Sequence, residues 1–184
     1  MMKTIVLLLS IPLTGMLLEA QAPTDPLSAG TKGLYNLVKG NLVKAAEKMP
    51  EENYSFKPTP EVRSFGQIVG HIADAQYLFC SPVLGQANPQ PGVEKSKTTK
   101  ADLVQALNDA FAYCDKAYDG MTDAHAAEIV KFFGRDYAKL AVLSFNSAHN
   151  NEHYGNLVTY MRIKGLVPPS SEARSTPAAA GAKK

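Results

Sequence analysis

The sequence predicts an all-α protein built as a four-helix bundle. Apolar residues recur every three or four positions in four separate stretches, and capping residues, glycines or prolines bound those stretches. No segment alternates polar and apolar residues for long enough to indicate a sheet. Four amphipathic helices of about 20 residues, each about 30 Å long, are the elements of a four-helix bundle.

Residues 1–20 have the layout of a secretory signal peptide. Lys3 precedes an apolar run that Pro12 interrupts, and small residues follow at Ala20 and Ala22. The run is shorter than the roughly 20 apolar residues that a membrane-spanning helix needs. We therefore expect cleavage after Ala20, a periplasmic or secreted protein, and no membrane attachment after cleavage.

The bundle domain is expected over residues 27–167, and its first helix from Leu27 or Thr31 to Met49. Pro50 ends the helical pattern, because proline cannot continue a helix. The residues predicted to form its apolar face are Leu34, Leu37, Val38, Leu42, Val43 and Ala46.

The second helix is predicted to begin after Ser64, whose hydroxyl can accept from the amide of Gln67 while the Gln67 side chain reaches back. Pro82 lies near its end. Its predicted buried stripe consists of Phe65, Ile68, Val69, Ile72 and Phe79.

The third and fourth helices complete the bundle. The third is expected from the N-cap Thr99 to Gly120, and the fourth, which is the longest, from about Asp136 to Lys164. Gly165 is suited to the left-handed conformation that ends a helix. The apolar stripe of the third helix comprises Leu103, Leu107, Ala110, Phe111, Cys114 and Tyr118.

The connections at residues 85–98 and 120–135 are longer than a simple up-down bundle needs, so at least one can cross the length of the bundle. If the second and third helices run parallel, Cys80 and Cys114 can approach each other. In an antiparallel pair they are about 15 Å out of register. A disulfide is therefore conditional on topology, and the sequence favours two buried free thiols.

The composition bears on the partners, on the possible metal ligands and on the C-terminal tail. The 19 Lys and Arg residues nearly balance 17 Asp and Glu residues, and the formal net charge of +2 argues against a nucleic-acid partner. Two cysteines are too few for a cysteine-ligated zinc finger, so a metal must be bound by histidines and carboxylates. Residues 168–184 are rich in Ala, Ser, Pro and Lys and are expected to be a disordered tail.

Three of the four histidines form a candidate metal site. His149 and His153 are four residues apart in the fourth helix, which places both imidazoles on one face. His71 lies beside the apolar stripe of the second helix, so the three rings can converge across the bundle core. Ordinary polar contacts of core and surface histidines are the alternative. His125 is expected to be a solvated loop residue.

The same segment also spells the H-x-x-E-H motif of inverted zincin peptidases, with Glu152 in the position of the general base. That class needs a further carboxylate ligand downstream. Only 31 residues follow His153, and the sole acidic one, Glu172, lies in the predicted tail. A peptidase of this class is therefore disfavoured, and Glu152 is expected to be a surface charge.

Two segments closely resemble the DinB-like superfamily: SFGQIVGHIADAQ, which contains His71, and SAHNNEHYGNLVTYMRIKGLVPPS at residues 147–170. The matching family positions are His149, His153, Gly155, Arg162, Gly165, Pro168 and Pro169. The resemblance implies an up-down-down-up four-helix bundle in which His71, His149 and His153 bind a divalent metal, zinc or nickel. It also implies relatives that act as metal-dependent transferases and isomerases on low-molecular-weight thiols.

The sequence leaves two functions open. The first is an exported metal-binding protein that acts on a small molecule as a metal-dependent transferase or hydrolase through an open three-histidine site. Hydrolysis suits an exported member, because thiol cofactors are abundant in the reducing cytosol. The second is a non-catalytic metal-binding or stress-related helical module. A homodimer is an open alternative to a monomer.

Overall fold

The computed structural model describes residues 24–172. Four long helices form the bundle, which confirms the predicted all-α fold class. The elements in chain order are α1 (Pro26–Lys48), α2 (Phe65–Val83), α3 (Val93–Ser96), α4 (Lys100–Asp119), β1 (Ile129–Phe132), β2 (Arg135–Ala138) and α5 (Lys139–Ile163). Short 3-10 turns lie at Glu51–Asn53 and Pro169–Ser171. The predicted signal peptide at residues 1–20 lies outside the described residues.

Helices α2 and α4 run parallel. Near their first turns, a Cβ added to Gly66 would lie 3.2 Å from Cδ1 of Leu103. Near their ends, Cys80 and Cys114 form a disulfide with their Cα atoms 5.3 Å apart. The favoured interpretation of two free thiols is therefore wrong, because residues 85–98 cross the bundle and bring the two helices into parallel register.

Helices α1 and α5 run in the opposite direction to α2 and α4. The end of α1 lies beside the end of α5, because Lys48 Nζ donates to the carbonyl oxygen of Val167 at 2.8 Å. The end of α5 lies beside the start of α2, because Tyr160 Oη donates to the carbonyl oxygen of Arg63 at 2.8 Å. The order is therefore up-down-down-up.

The core lies between the four long helices. Its largest fully buried apolar side chains are Tyr35, Phe65, Phe111, Leu42, Met49, Ile72, Leu103, Leu107, Leu143, Leu157 and Met161. The predicted stripes of α2 and α4 are buried throughout. The predicted face of α1 is partly wrong. Val38, Leu42 and Ala46 are buried as predicted, but Leu34 and Leu37 are 62% and 67% exposed, and Tyr35 is buried in their place.

The ends of the helices follow the predicted capping residues. Ser64 and Gln67 form the capping box of α2. At the start of α4, Thr99 Oγ1 accepts a hydrogen bond from the backbone amide of Asp102 at 3.1 Å. After α5, Gly165 adopts a φ of 74°, and the amide of Leu166 donates back into the last turn at 2.9 Å.

An antiparallel hairpin, β1–β2, occupies the connection before α5 and was not predicted. Its register pairs Ile129 with Ala138 and Phe132 with Arg135. Phe133 and Gly134 form a two-residue turn with φ values of 48° and 74°, the signs of a type I′ turn. Because β2 takes residues 135–138, α5 begins at Lys139 instead of near residue 136.

The disordered tail was predicted to start at residue 168, which is too early. Ser170 donates its amide to Tyr154 Oη at 2.9 Å, and Arg162 donates to Ser171 Oγ at 2.9 Å. Residues 168–172 therefore pack onto the bundle, and residues 173–184 lie outside the described part of the chain. Within residues 24–172, no helix combines the length and the apolar character needed to cross a bilayer.

Candidate metal centre

The bundle brings together the three histidines that the sequence singles out. His71 is on α2, and His149 and His153 are one turn apart on α5. Nε2 of His149 lies 3.1 Å from Nε2 of His71 and 3.1 Å from Nε2 of His153. One ring nitrogen from each histidine lies within 4.8 Å of the other two. The predicted convergence of three imidazoles across two helices is therefore observed.

The environment of the cluster favours uncharged imidazoles. Burial, together with the nearby charges of His71 and Arg63, lowers the pKa of His149 to about 4. Burial, together with the other two histidines and Arg63, lowers the pKa of His153 to about 3. Burial and Arg63 also lower the pKa of His71, against the opposing effect of Glu94. Neutral imidazole is the form that binds metal ions.

The spacing of the ring nitrogens fits a metal ion. Nε2 of His149 contacts two other nitrogens, and neutral imidazoles can share only one proton across each such contact. A cation satisfies all three lone pairs at once. Tetrahedral zinc, with zinc–nitrogen distances of about 2.0–2.1 Å, holds its ligand nitrogens about 3.3 Å apart. The residues present therefore fit a divalent metal of this kind.

The outward-facing nitrogens have different partners. Nδ1 of His71 lies 3.4 Å from a carboxylate oxygen of Glu94, whose other oxygen accepts from Arg63 Nε at 2.9 Å. Nδ1 of His153 lies 3.4 Å from the side-chain amide of Asn156. Nδ1 of His149 is buried and has no hydrogen-bond partner within residues 24–172. A carboxylate behind a ligating histidine fixes its tautomer and orients its ring.

Two features of α2 place Glu94 behind His71. The carboxylate of Asp74 accepts the amides of Val93 and Glu94, at 2.7 and 2.9 Å, and so anchors the first turn of α3. Gly70 permits the close approach, because a Cβ at that position would lie 2.7 Å from the Cα of Glu94. Helix α3 is thus held directly against the turn of α2 that carries His71.

Replacing Gly70 with alanine is expected to push α3 away from α2. The added methyl group meets backbone, which cannot turn aside, and overpacking of this kind costs about 1–3 kcal/mol. The free energy of unfolding, measured by urea denaturation, should fall by that amount. Gly33→Ala on α1 is the matched control, since its Cβ meets nothing within 4 Å and alanine favours helix. Equal stability of the two variants contradicts the tight contact.

Two cavities reach the histidine cluster. One, of about 350 Å³, is bordered by His71 and His149 and is otherwise mostly apolar. The other, of about 570 Å³, is bordered by His153 and has a charged lining that includes Arg63 and Glu94. The cluster is therefore accessible to small molecules, as a site with exchangeable coordination positions requires.

The other predicted residues lie away from the ring nitrogens. His125 is exposed in the connection before β1 and pairs with Glu128, as expected for a solvated loop residue. Glu152 is an exposed side chain at the border of the charged cavity. Sequence reasoning missed Glu94, Arg63 and Asn156. Glu94 gave no signal, because it lies in a connection without helical periodicity.

Comparisons with known proteins agree with this fold. The family model described as the DinB superfamily matches residues 35–157. The uncharacterized protein YjoA of Bacillus subtilis (strain 168) is 30% identical over 126 residues, which cover 65% of this chain and 79% of YjoA.

Solved structures give the same result. A DinB-like protein from Bacillus cereus ATCC 10987 superposes with a TM-score of 0.68 at 20% identity, covering 77% of this chain and 95% of its own. The structure of YjoA from B. subtilis superposes with a TM-score of 0.64 at 24% identity, covering 79% of this chain and 99% of YjoA. A point mutant of a mycothiol-dependent maleylpyruvate isomerase superposes with a TM-score of 0.60 at 14% identity, covering 71% of this chain and 60% of the isomerase. By its sequence match over the bundle and by its fold, the chain belongs to the DinB superfamily.

Proposed function

We propose that the chain is an exported, divalent-metal-binding protein whose three-histidine site carries out metal-dependent transfer or hydrolysis on a small molecule. The observation that carries the proposal is the double contact of His149 Nε2, at 3.1 Å, with Nε2 of His71 and of His153. Three converging nitrogens on two rigid helices, reached by two cavities, suit an open metal site better than a closed structural one.

His71, His149 and His153 would hold the cation, for which zinc or nickel are the proposed identities. When bound, such a cation lowers the pKa of a water or thiol that binds to it and polarises carbonyl groups. The Glu94 carboxylate, 3.4 Å from Nδ1 of His71, favours the tautomer that has its proton on Nδ1, and in that tautomer the Nε2 lone pair is free for the metal. Arg63 holds Glu94 in place and contributes positive charge at the border of the charged cavity.

The reaction class rests on two lines of support. The fold likeness to a mycothiol-dependent isomerase supports transfer or isomerisation with a thiol. Export supports hydrolysis, because the compartment outside the cytosol is poor in reduced thiols. The disulfide between Cys80 and Cys114 supports export, since disulfides persist in oxidising compartments.

Export is expected to remove residues 1–20 from the mature protein. In a host with a periplasm, the intact mass and N-terminal sequence of the purified protein should show a chain that begins at Gln21. The cell fraction that contains the protein gives an independent check. Recovery of the uncleaved chain in the cytosol contradicts the proposed location and leaves the metal site to be judged separately.

An open coordination position separates an enzyme from a non-catalytic module. The untagged protein loaded with Co²⁺ should show a visible absorption spectrum that shifts when azide or a small thiol is added, because an added ligand enters an exchangeable position. A spectrum that no added ligand changes indicates a closed site and contradicts catalysis at the metal. That result favours the alternative of a metal-binding or stress-related module.

A further inference from the structure

The smaller cavity beside the histidines has an apolar wall. It has a volume of about 350 Å³, at the lower end of the range of small-molecule sites. His71 and His149 border it, and its apolar lining residues are Ala75, Leu78, Phe79, Pro91, Phe133 and Phe145. The wall is therefore built from α2, α5, the connection before α3 and the turn of the hairpin.

Three large apolar side chains around this cavity remain in contact with water. Leu78 is 41% exposed, Phe145 is 48% exposed and Phe133 is 65% exposed. Isolated exposed apolar residues are common in proteins, but several around one opening mark a binding surface. A ligand with an apolar body would cover all three.

The hairpin turn adds independent support. Phe133 adopts a φ of 48°, a conformation that bulky residues rarely take and that glycine or asparagine would fill at this turn position. The turn itself therefore gives no reason for phenylalanine. Phe132 holds the hairpin against α2, with its ring centroid 5.0 Å from that of Phe79. The strained residue is thus held at the border of the cavity.

Within residues 24–172, the lining offers a ligand no positive charge and no carboxylate oxygen that is free of hydrogen bonds. None of the described residues that line this cavity is a lysine or arginine. Among the described lining residues Asp74 is the only one with a carboxylate, and its two oxygens already accept the amides of Val93 and Glu94. Burying an unpaired charge is costly, so this cavity suits an uncharged body. The charged cavity beside His153 differs, since its lining includes Arg63.

We propose that the 350 Å³ cavity binds the uncharged apolar body of the substrate, of about the size of an aromatic ring with short substituents, while one polar group of the substrate reaches the histidines. The inference rests on the proposed function and narrows its substrate class. Phe133, Phe145 and Leu78 are then the residues that determine specificity.

Hydroxamates with different bodies test the proposal in the zinc-loaded, untagged protein. Isothermal titration calorimetry compares acetohydroxamate, benzohydroxamate and 4-carboxybenzohydroxamate, each corrected for its affinity for free zinc. Benzohydroxamate should bind roughly tenfold to a hundredfold more tightly than acetohydroxamate, because its apolar ring is removed from water when it enters the cavity. The added carboxylate should remove at least tenfold of that gain.

Variants locate the effect. Phe145→Ala and Leu78→Ala should each reduce the affinity ratio of benzohydroxamate to acetohydroxamate by about threefold or more. Leu37→Ala is the matched control. Leu37 is an exposed apolar residue on α1, and it does not line the cavity. Its ratio should be that of the unaltered protein.

A metal-free arm separates this inference from the proposed function. The neutral dye N-phenyl-1-naphthylamine should gain fluorescence on binding the metal-free protein and lose that gain in Phe145→Ala. Equal binding of the three hydroxamates overturns the inference and leaves the metal site intact. Failure of all hydroxamates to bind contradicts the metal site. The dye then tests the apolar cavity separately, and dye fluorescence that is the same in Phe145→Ala as in the unaltered protein overturns the proposed cavity.

Discussion

Replacing His149 with alanine is expected to abolish stoichiometric binding of zinc or nickel while the bundle stays folded. His149 is the histidine whose Nε2 lies 3.1 Å from both other Nε2 atoms, so its loss leaves two nitrogens from different helices without their shared neighbour. Altering residues behind metal ligands typically lowers metal affinity 10- to 100-fold. Loss of a ligand itself should lower it by at least about 100-fold, as measured by competition with a chromophoric chelator.

The control for this experiment is His125→Ala. His125 is exposed, pairs with Glu128 and lies outside the cluster, so its removal should leave metal content unchanged. Circular dichroism of both variants checks that the helices persist. Equal metal content in the His149 and His125 variants contradicts the proposed site, whatever metal is found.

Loss of the disulfide is expected to destabilise the protein by roughly 4 kcal/mol. Cys80 and Cys114 are 34 residues apart in sequence, and cross-linking a loop of that length restricts the unfolded chain by about this amount. The free energy of unfolding should therefore fall by this amount when the unaltered protein is unfolded and refolded with a reductant. Guanidinium denaturation of the oxidised and reduced proteins gives the difference.

A double variant with Cys80→Ala and Cys114→Ala separates the cross-link from the effect of the reductant. Its stability should be low and the same with and without reductant. Both cysteines are fully buried, so this variant also loses some packing and should be no more stable than the reduced protein. A difference below about 1 kcal/mol between oxidised and reduced protein contradicts a stabilising cross-link.

The helices that were predicted best have one clearly apolar face. In α2 and α4 the capping residues and the buried stripes agree, so both the ends and the inward faces could be predicted. Helix α1 has apolar residues on both sides, and its inward face is chosen by tertiary contacts. Tyr35 stacks on Tyr118 with ring centroids 3.8 Å apart and donates to Asp115 at 2.8 Å. Leu34 and Leu37 are left outside as a result.

The hairpin could not be predicted, because its strands have four residues each and only one side chain of β1, that of Phe132, is buried. Alternation over so few residues is a weak signal. The histidines could be predicted for the opposite reason: two of them are fixed on one face of a single helix by their spacing alone. Glu94 reaches His71 only through Asp74 and Gly70, which are contacts between elements that no local pattern encodes.

The central claim is that three imidazoles from two helices bind one cation. The X-ray absorption spectrum of the zinc-loaded, untagged protein tests it most directly. We expect three nitrogen ligands at about 2.0–2.1 Å, each with the outer scattering of an imidazole ring. A spectrum with fewer than three imidazoles, or with oxygen ligands alone, contradicts the account.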